Sequence, residues 1–83
     1  MKLHIRQAIV TKFLSATNTK GSRIKAFSEA GSIITEWDDM LNVEENHRKC
    51  ADALFEKLGW HKYNKIVACG SIKSGFVFVL GEI

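Results

Sequence analysis

Three histidines (His4, His47, His61) and two cysteines (Cys50, Cys69) are the side chains of this chain best suited to nucleophilic catalysis or soft-metal binding. A Cys–His pair drawn from them would serve nucleophilic chemistry, which needs an exposed, electropositive thiol with a base oriented beside it. Cys50 does not meet that requirement. It falls on the apolar stripe Val43, His47, Cys50, Ala51, Leu54, Leu58 at helical spacing, where a small buried hydrophobe is expected. Cys69 lies in a strand entering a turn and reads as structural. His47, Cys50, His61 and Cys69 have the right types for a zinc site, but no C-x-x-C knuckle is present and structural zinc sites pair their ligands closely on turns. Asp38-Asp39 has the form of a metal or acid/base pair, yet its place before a helix suits the positive end of the helix dipole. Gly70-Ser71-Ile72-Lys73-Ser74-Gly75 has the glycines of a phosphate loop, but Phe76 stands where a Walker motif requires lysine. Neither an enzyme, a metal nor another cofactor is expected.

Charge is the stronger signal. Residues 1–28 carry Lys2, Arg6, Lys12, Lys20, Arg23 and Lys25 with no acid, whereas residues 29–56 set eight acids against Arg48 and Lys49. The chain is a charge dipole, and a segregated basic region attracts phosphates or acidic protein surfaces. Strand alternation places Arg6, Lys12, Arg23 and Lys25 on one face, with Lys20 and Asn18 at the turn between strands and Phe27 on the same alternation as Arg23 and Lys25. The plain alternative is a solvated sheet face kept free of aggregation by its cations. As a nucleic-acid surface, five phosphate contacts would give a salt slope of about −4.5 on duplex DNA. No RNP, KH or helix-turn-helix pattern is present, so sequence-specific readout is not expected.

The elements that would position these residues follow from periodicity. Leu3–Phe13 alternates with a two-residue period and reads as a strand, Asn18 and Gly21 suit the ends of a type I turn, and Ser22–Phe27 returns as a second strand. A turn at Glu29–Ser32 leads into Ile33–Trp37, the third strand of a meander. Asn42 with Glu45 forms a capping box that starts a helix, Glu44→Arg48 and Glu45→Lys49 are favourably oriented pairs, and Gly59 ends the helix with Trp60 packing back on Phe55. Lys65–Cys69 and Phe76–Leu80 flank a Gly70–Gly75 turn, and the second of them, apolar on both faces, belongs inside the sheet. The expected fold is α+β: one domain over residues 1–83, a mainly antiparallel sheet of about five strands in the order βββ-α-ββ, and one helix on one face.

Eighty-three residues, 46% hydrophobic and 25% charged, suit one small globular domain, as monomer or homodimer. Two cysteines are too few for a disulfide framework and point to a reducing cytoplasm. No apolar run is long enough for a membrane span, and Arg6 and Lys12 break the core a secretory signal would need.

The stretch Thr17-Asn18-Thr19-Lys20-Gly21-Ser22-Arg23-Ile24-Lys25-Ala26 resembles small proteins encoded by bacteriophages, prophages and plasmids. Those proteins share this turn-and-strand segment, a following Glu-Ala-Gly-Ser strand and a Glu-Asn-His…Ala-Leu…Lys-Leu-Gly-Trp helix end. The resemblance spans residues 10–60 and its motifs fix no chemistry. It implies a mobile-element setting inside a bacterial host, where short proteins inhibit or redirect host machinery, CRISPR effector complexes included, by occupying a surface. Two readings follow: an accessory inhibitor that docks on a host protein or nucleoprotein complex through the basic hairpin, or a small module that contacts the phosphates of DNA or RNA.

Overall fold

Alternating strands and one capped helix assemble in the computed structural model, which describes residues 6–83, as β1 (Ala8–Leu14), β2 (Arg23–Ser28), β3 (Gly31–Glu36), α1 (Val43–Lys57), β4 (Asn64–Ile72) and β5 (Gly75–Glu82). The strands form one antiparallel sheet in the order β3-β2-β1-β5-β4, and α1 packs on one face, chiefly against β1, β2 and β3. This is the α+β arrangement of five strands and one helix. The apolar run in β5 lies between β1 and β4, inside the sheet, where both of its faces find apolar neighbours.

The core is built where the helix meets β1 and β2. Ile9, Ile24, Ala26, Cys50, Ala51 and Leu54 are fully buried, with Phe78 and Leu80 from β5 nearly so. Small residues at Ala26, Cys50 and Ala51 let the helix approach closely, and the Cys50 thiol donates to the Ile24 carbonyl at 3.4 Å. Burying side chains the size of Leu54 and Ile24 contributes about 2–3 kcal/mol each. Val43, expected on the buried stripe, is the first residue of α1 and is more than half exposed.

The helix start is fixed twice. Asn42 Oδ1 accepts from Glu45 N at 2.8 Å while Glu45 Oε1 accepts from Asn42 N at 3.1 Å, closing the capping box. One turn on, buried Asn46 holds the β3–α1 connection: its Oδ1 accepts from Asp38 N at 2.8 Å, and its Nδ2 donates toward the carbonyls of Asp38, Asn42 and Leu41. At the other end Gly59 takes a left-handed φ of 72° and its N–H donates to the Glu56 carbonyl, with Trp60 packed against the core.

Several expectations are corrected. The described part of the first strand starts at Ala8, and Leu3, His4 and Ile5 lie outside the described residues. The first turn closes between Thr17 and Lys20, not Asn18 and Gly21, because the Thr17 hydroxyl accepts from the Lys20 and Thr19 amides at 3.1 and 3.4 Å, and Thr17 N donates to the Lys20 carbonyl. The next turn is limited to Glu29 and Ala30, since Gly31 already pairs with Ser28, and β3 ends at Glu36. Gly70, Ser71 and Ile72 continue β4 in register with Val77, Phe76 and Gly75, leaving Lys73–Ser74 as a two-residue turn. Neither Glu44–Arg48 nor Glu45–Lys49 forms: Glu45 is engaged by the cap, Arg48 pairs with Asp52 at 3.1 Å, and Lys49 with Asp38 at 3.5 Å.

Ser74 carries the one positive φ of a non-glycine residue among the described residues, 67°. A Cβ in this region costs about 1 kcal/mol, so Ser74→Gly is expected to leave stability unchanged or raise it by up to about 1 kcal/mol, as read by urea denaturation.

Candidate binding face

Pleating assigns each side chain to one of two faces. On the side away from α1 the register sets out rows running across the strands. One row reads Ser32, Phe27, Val10, Val77, Gly70; the next reads Ile34, Lys25, Lys12, Gly75, Ile72; and Glu36, Arg23 and Leu14 form a third over β3, β2 and β1. Ala8, Val79 and Ala68 continue the apolar strip toward the far end. The face is thus an aliphatic strip, Val10, Val77 and Val79, bordered by cations, rather than the uniformly basic surface expected from β1 and β2 alone.

Lys12 and Lys25 stand directly opposite one another across β1 and β2. Like charges in this position repel. The Phe27 ring relieves part of the repulsion, with the two ammonium groups 5.8 and 5.9 Å from its centroid. Neither lysine takes part in an ion pair among the described residues. Arg23 faces Glu36 in the register without forming an ion pair, and its Nε is the one buried side-chain nitrogen or oxygen among the described residues with no hydrogen-bond partner. Arg6 reaches the same face: its guanidinium and the Val67 side chain lie over Gly81.

Of the expected binding residues, Arg6, Lys12, Arg23, Lys25 and Phe27 therefore share one face. Lys20 lines a groove together with Arg23, Ile34, Trp37 and the carboxylates Glu36 and Asp39, and Asn18 is exposed in the loop. The residues missed by sequence reasoning are Val10, Val77 and Val79, which become one strip only because β1 and β5 are neighbours.

The chemistry-bearing residues are dispersed. Cys50 is buried and its burial pushes the thiol upward, whereas Cys69 is exposed on edge strand β4. His61 sits edge-on to Phe55, and no group of three His, Cys, Asp or Glu side chains among the described residues is placed to hold a metal ion. No described helix is long and apolar enough to cross a membrane.

No protein-family model, curated protein or solved structure matches this chain. Function has to be read from the chemistry of the molecule itself.

His47 is the buried titratable group with a measurable consequence. Its Nδ1 lies 2.7 Å from Thr11 Oγ1, and burial pushes the imidazole below the ordinary histidine value of 6.5 because the charged ring would lose its hydration. The unfolded chain then takes up the proton first on acidification. Stability from this group is complete above about 6.5 and is lost as pH falls from there through the lower folded value. Melting curves are expected to show Tm declining as pH falls below about 6.5, with a shallower decline in His47→Gln.

Proposed function

We propose that the protein is a non-enzymatic binding protein that seats an acidic, apolar-centred surface of a partner protein on its uncovered sheet face. One observation carries this reading: Lys12 and Lys25 are held opposite each other with no carboxylate paired to them among the described residues, beside the aliphatic strip Val10, Val77 and Val79. Opposed like charges cost stability when the chain is alone. Acidic groups of a partner would cancel that repulsion, while the strip supplies the apolar centre typical of protein interfaces. Arg23, with its unpartnered Nε, and Arg6 extend the cationic border. Combined with the resemblance of Thr17–Ala26 to mobile-element proteins, the partner is a bacterial host protein or nucleoprotein complex, and the outcome is inhibition by occupancy, of the anti-CRISPR type.

The test is affinity capture from nuclease-treated bacterial lysate, comparing the wild type with Lys12→Glu/Lys25→Glu and with Lys62→Glu as an exposed control. The reading predicts a saturable protein partner kept by Lys62→Glu and lost, by about a hundredfold in affinity, by the double reversal. Equal capture by all three proteins overturns it. It is also overturned if no protein is captured while generic DNA or RNA binds with an affinity that falls steeply with salt, which would make the protein a nucleic-acid module in which Phe27 stacks a base.

A further inference from the structure

At the end of the molecule where β1 finishes, α1 begins and β4 turns into β5, a cleft of about 610 Å³ opens. Its walls include Phe13, Trp37, Val43, Ile72 and Phe76, and His47 also lines it. Phe13 and Trp37 meet edge to face at 5.6 Å, and His47 meets Phe76 edge to face at 4.9 Å, so the aromatic walls are braced against their neighbours. Phe13, Val43 and Ile72 remain 40%, 54% and 41% exposed. Apolar surface of this kind gains free energy when an apolar ligand covers it.

His47 gives the cleft a polar focus. The residue is only 2% exposed, and its Nδ1 is engaged by Thr11. The Thr11 hydroxyl has one hydrogen to donate, with Nδ1 at 2.7 Å and the Phe76 carbonyl at 3.5 Å as acceptors. The second distance is too long for a good O–H···O bond, so the hydroxyl donates to Nδ1 and the network assigns the ring proton to Nε2. Among the described residues Nε2 makes no hydrogen bond, and it is not one of their sealed, unpartnered nitrogens. His47 thus brings a hydrogen-bond donor to the lining of a largely apolar cleft.

We propose that this cleft is a binding site for a small aromatic molecule carrying a neutral hydrogen-bond acceptor, with the ring held among Phe13, Trp37, Val43 and Phe76 and the acceptor on His47 Nε2–H. A neutral carbonyl matches a single N–H donor, and Asp39 at the margin disfavours a carboxylate. The site is distinct from the uncovered sheet face but borders it: the cleft-wall residues Phe13 and Phe76 alternate with Lys12 and Val77 of that face, and Ile72, at the end of β4, is shared by both.

Benzamide is the probe. Titrated into ¹⁵N-labelled protein and followed by NMR, it should give saturable shifts of the Trp37 indole and the His47 ring, with saturation approached by about 10 mM. Val43→Trp, at an exposed position on the cleft wall, should abolish those shifts. His47→Phe should weaken benzamide about tenfold while leaving binding of ethylbenzene, which has no acceptor, undiminished. Shifts that stay linear in benzamide, or that persist in Val43→Trp, overturn the site. A folded His47→Phe protein that binds benzamide as tightly as the wild type overturns the donor assignment. If that variant does not fold, the Val43→Trp result decides.

Discussion

Gly75→Ala should be strongly destabilising, lowering stability by about 3 kcal/mol or more. A Cβ at this position would overlap the carbonyl oxygen of Thr11 and crowd the Thr11 carbonyl carbon and Lys12 Cα, all of them backbone atoms of the neighbouring strand. Backbone cannot swing aside as a side chain tip can. Accommodation requires β1 and β5 to separate where Lys12 pairs with Gly75, and it disturbs the adjoining bond from Phe13 N to the Ser74 carbonyl. Overpacking and broken ladder bonds together cost about 3 kcal/mol or more, against a total of about 4–12 kcal/mol for a chain of this length. Gly70→Ala is the internal control, since a Cβ there meets nothing within 4 Å, and a change within about 0.5 kcal/mol is expected. Urea denaturation of the two variants should give clearly separated midpoints. Equal midpoints would contradict the close approach of β1 and β5 at this point.

Asn46→Ala is the second large effect. Removing the amide leaves the Asp38 N–H without its acceptor and takes the side-chain donor away from three carbonyls in a partly buried connection. Each unsatisfied buried group costs about 1–3 kcal/mol, and because some of these groups can reach water the expected loss is about 2–4 kcal/mol. Asn46→Asp separates the two halves of the side chain. The carboxylate can still accept from Asp38 N, but it offers no donor and would face the Leu41 and Asn42 carbonyls. Asn46→Asp should therefore remain destabilising at neutral pH, and thermal melts in which it behaves like the wild type would show that only the Asp38 N–H bond matters.

What could be read from sequence was local. Asn42 and Glu45 announce a helix start because both capping bonds close within three residues, and Gly59 announces its end because left-handed backbone favours glycine. Arg23, Lys25 and Phe27 share a face by strand alternation, which needs no knowledge of the partner strand. The rest depended on neighbours distant in sequence. Asn46 looks like a surface position until the β3–α1 connection folds over it, and Gly75 looks like an ordinary turn glycine until β1 passes beside it. The extent of β4 was underestimated because its last residues have little apolar character and are held by the ladder to β5. In the candidate face the cations were legible, but the valine strip that changes the face's chemistry was not, since it exists only through the β1–β5 register.

That same register sets the order in which the protein can become complete during synthesis. β1 and β2 emerge early and can pair at once, but the other side of β1 waits for β5, whose Phe76 lies 65 residues beyond Thr11. Closing so long a loop carries an entropic cost before its contacts reward it. Until then the growing chain presents an unmatched central strand to its surroundings, and β5 is the piece that ends that exposure.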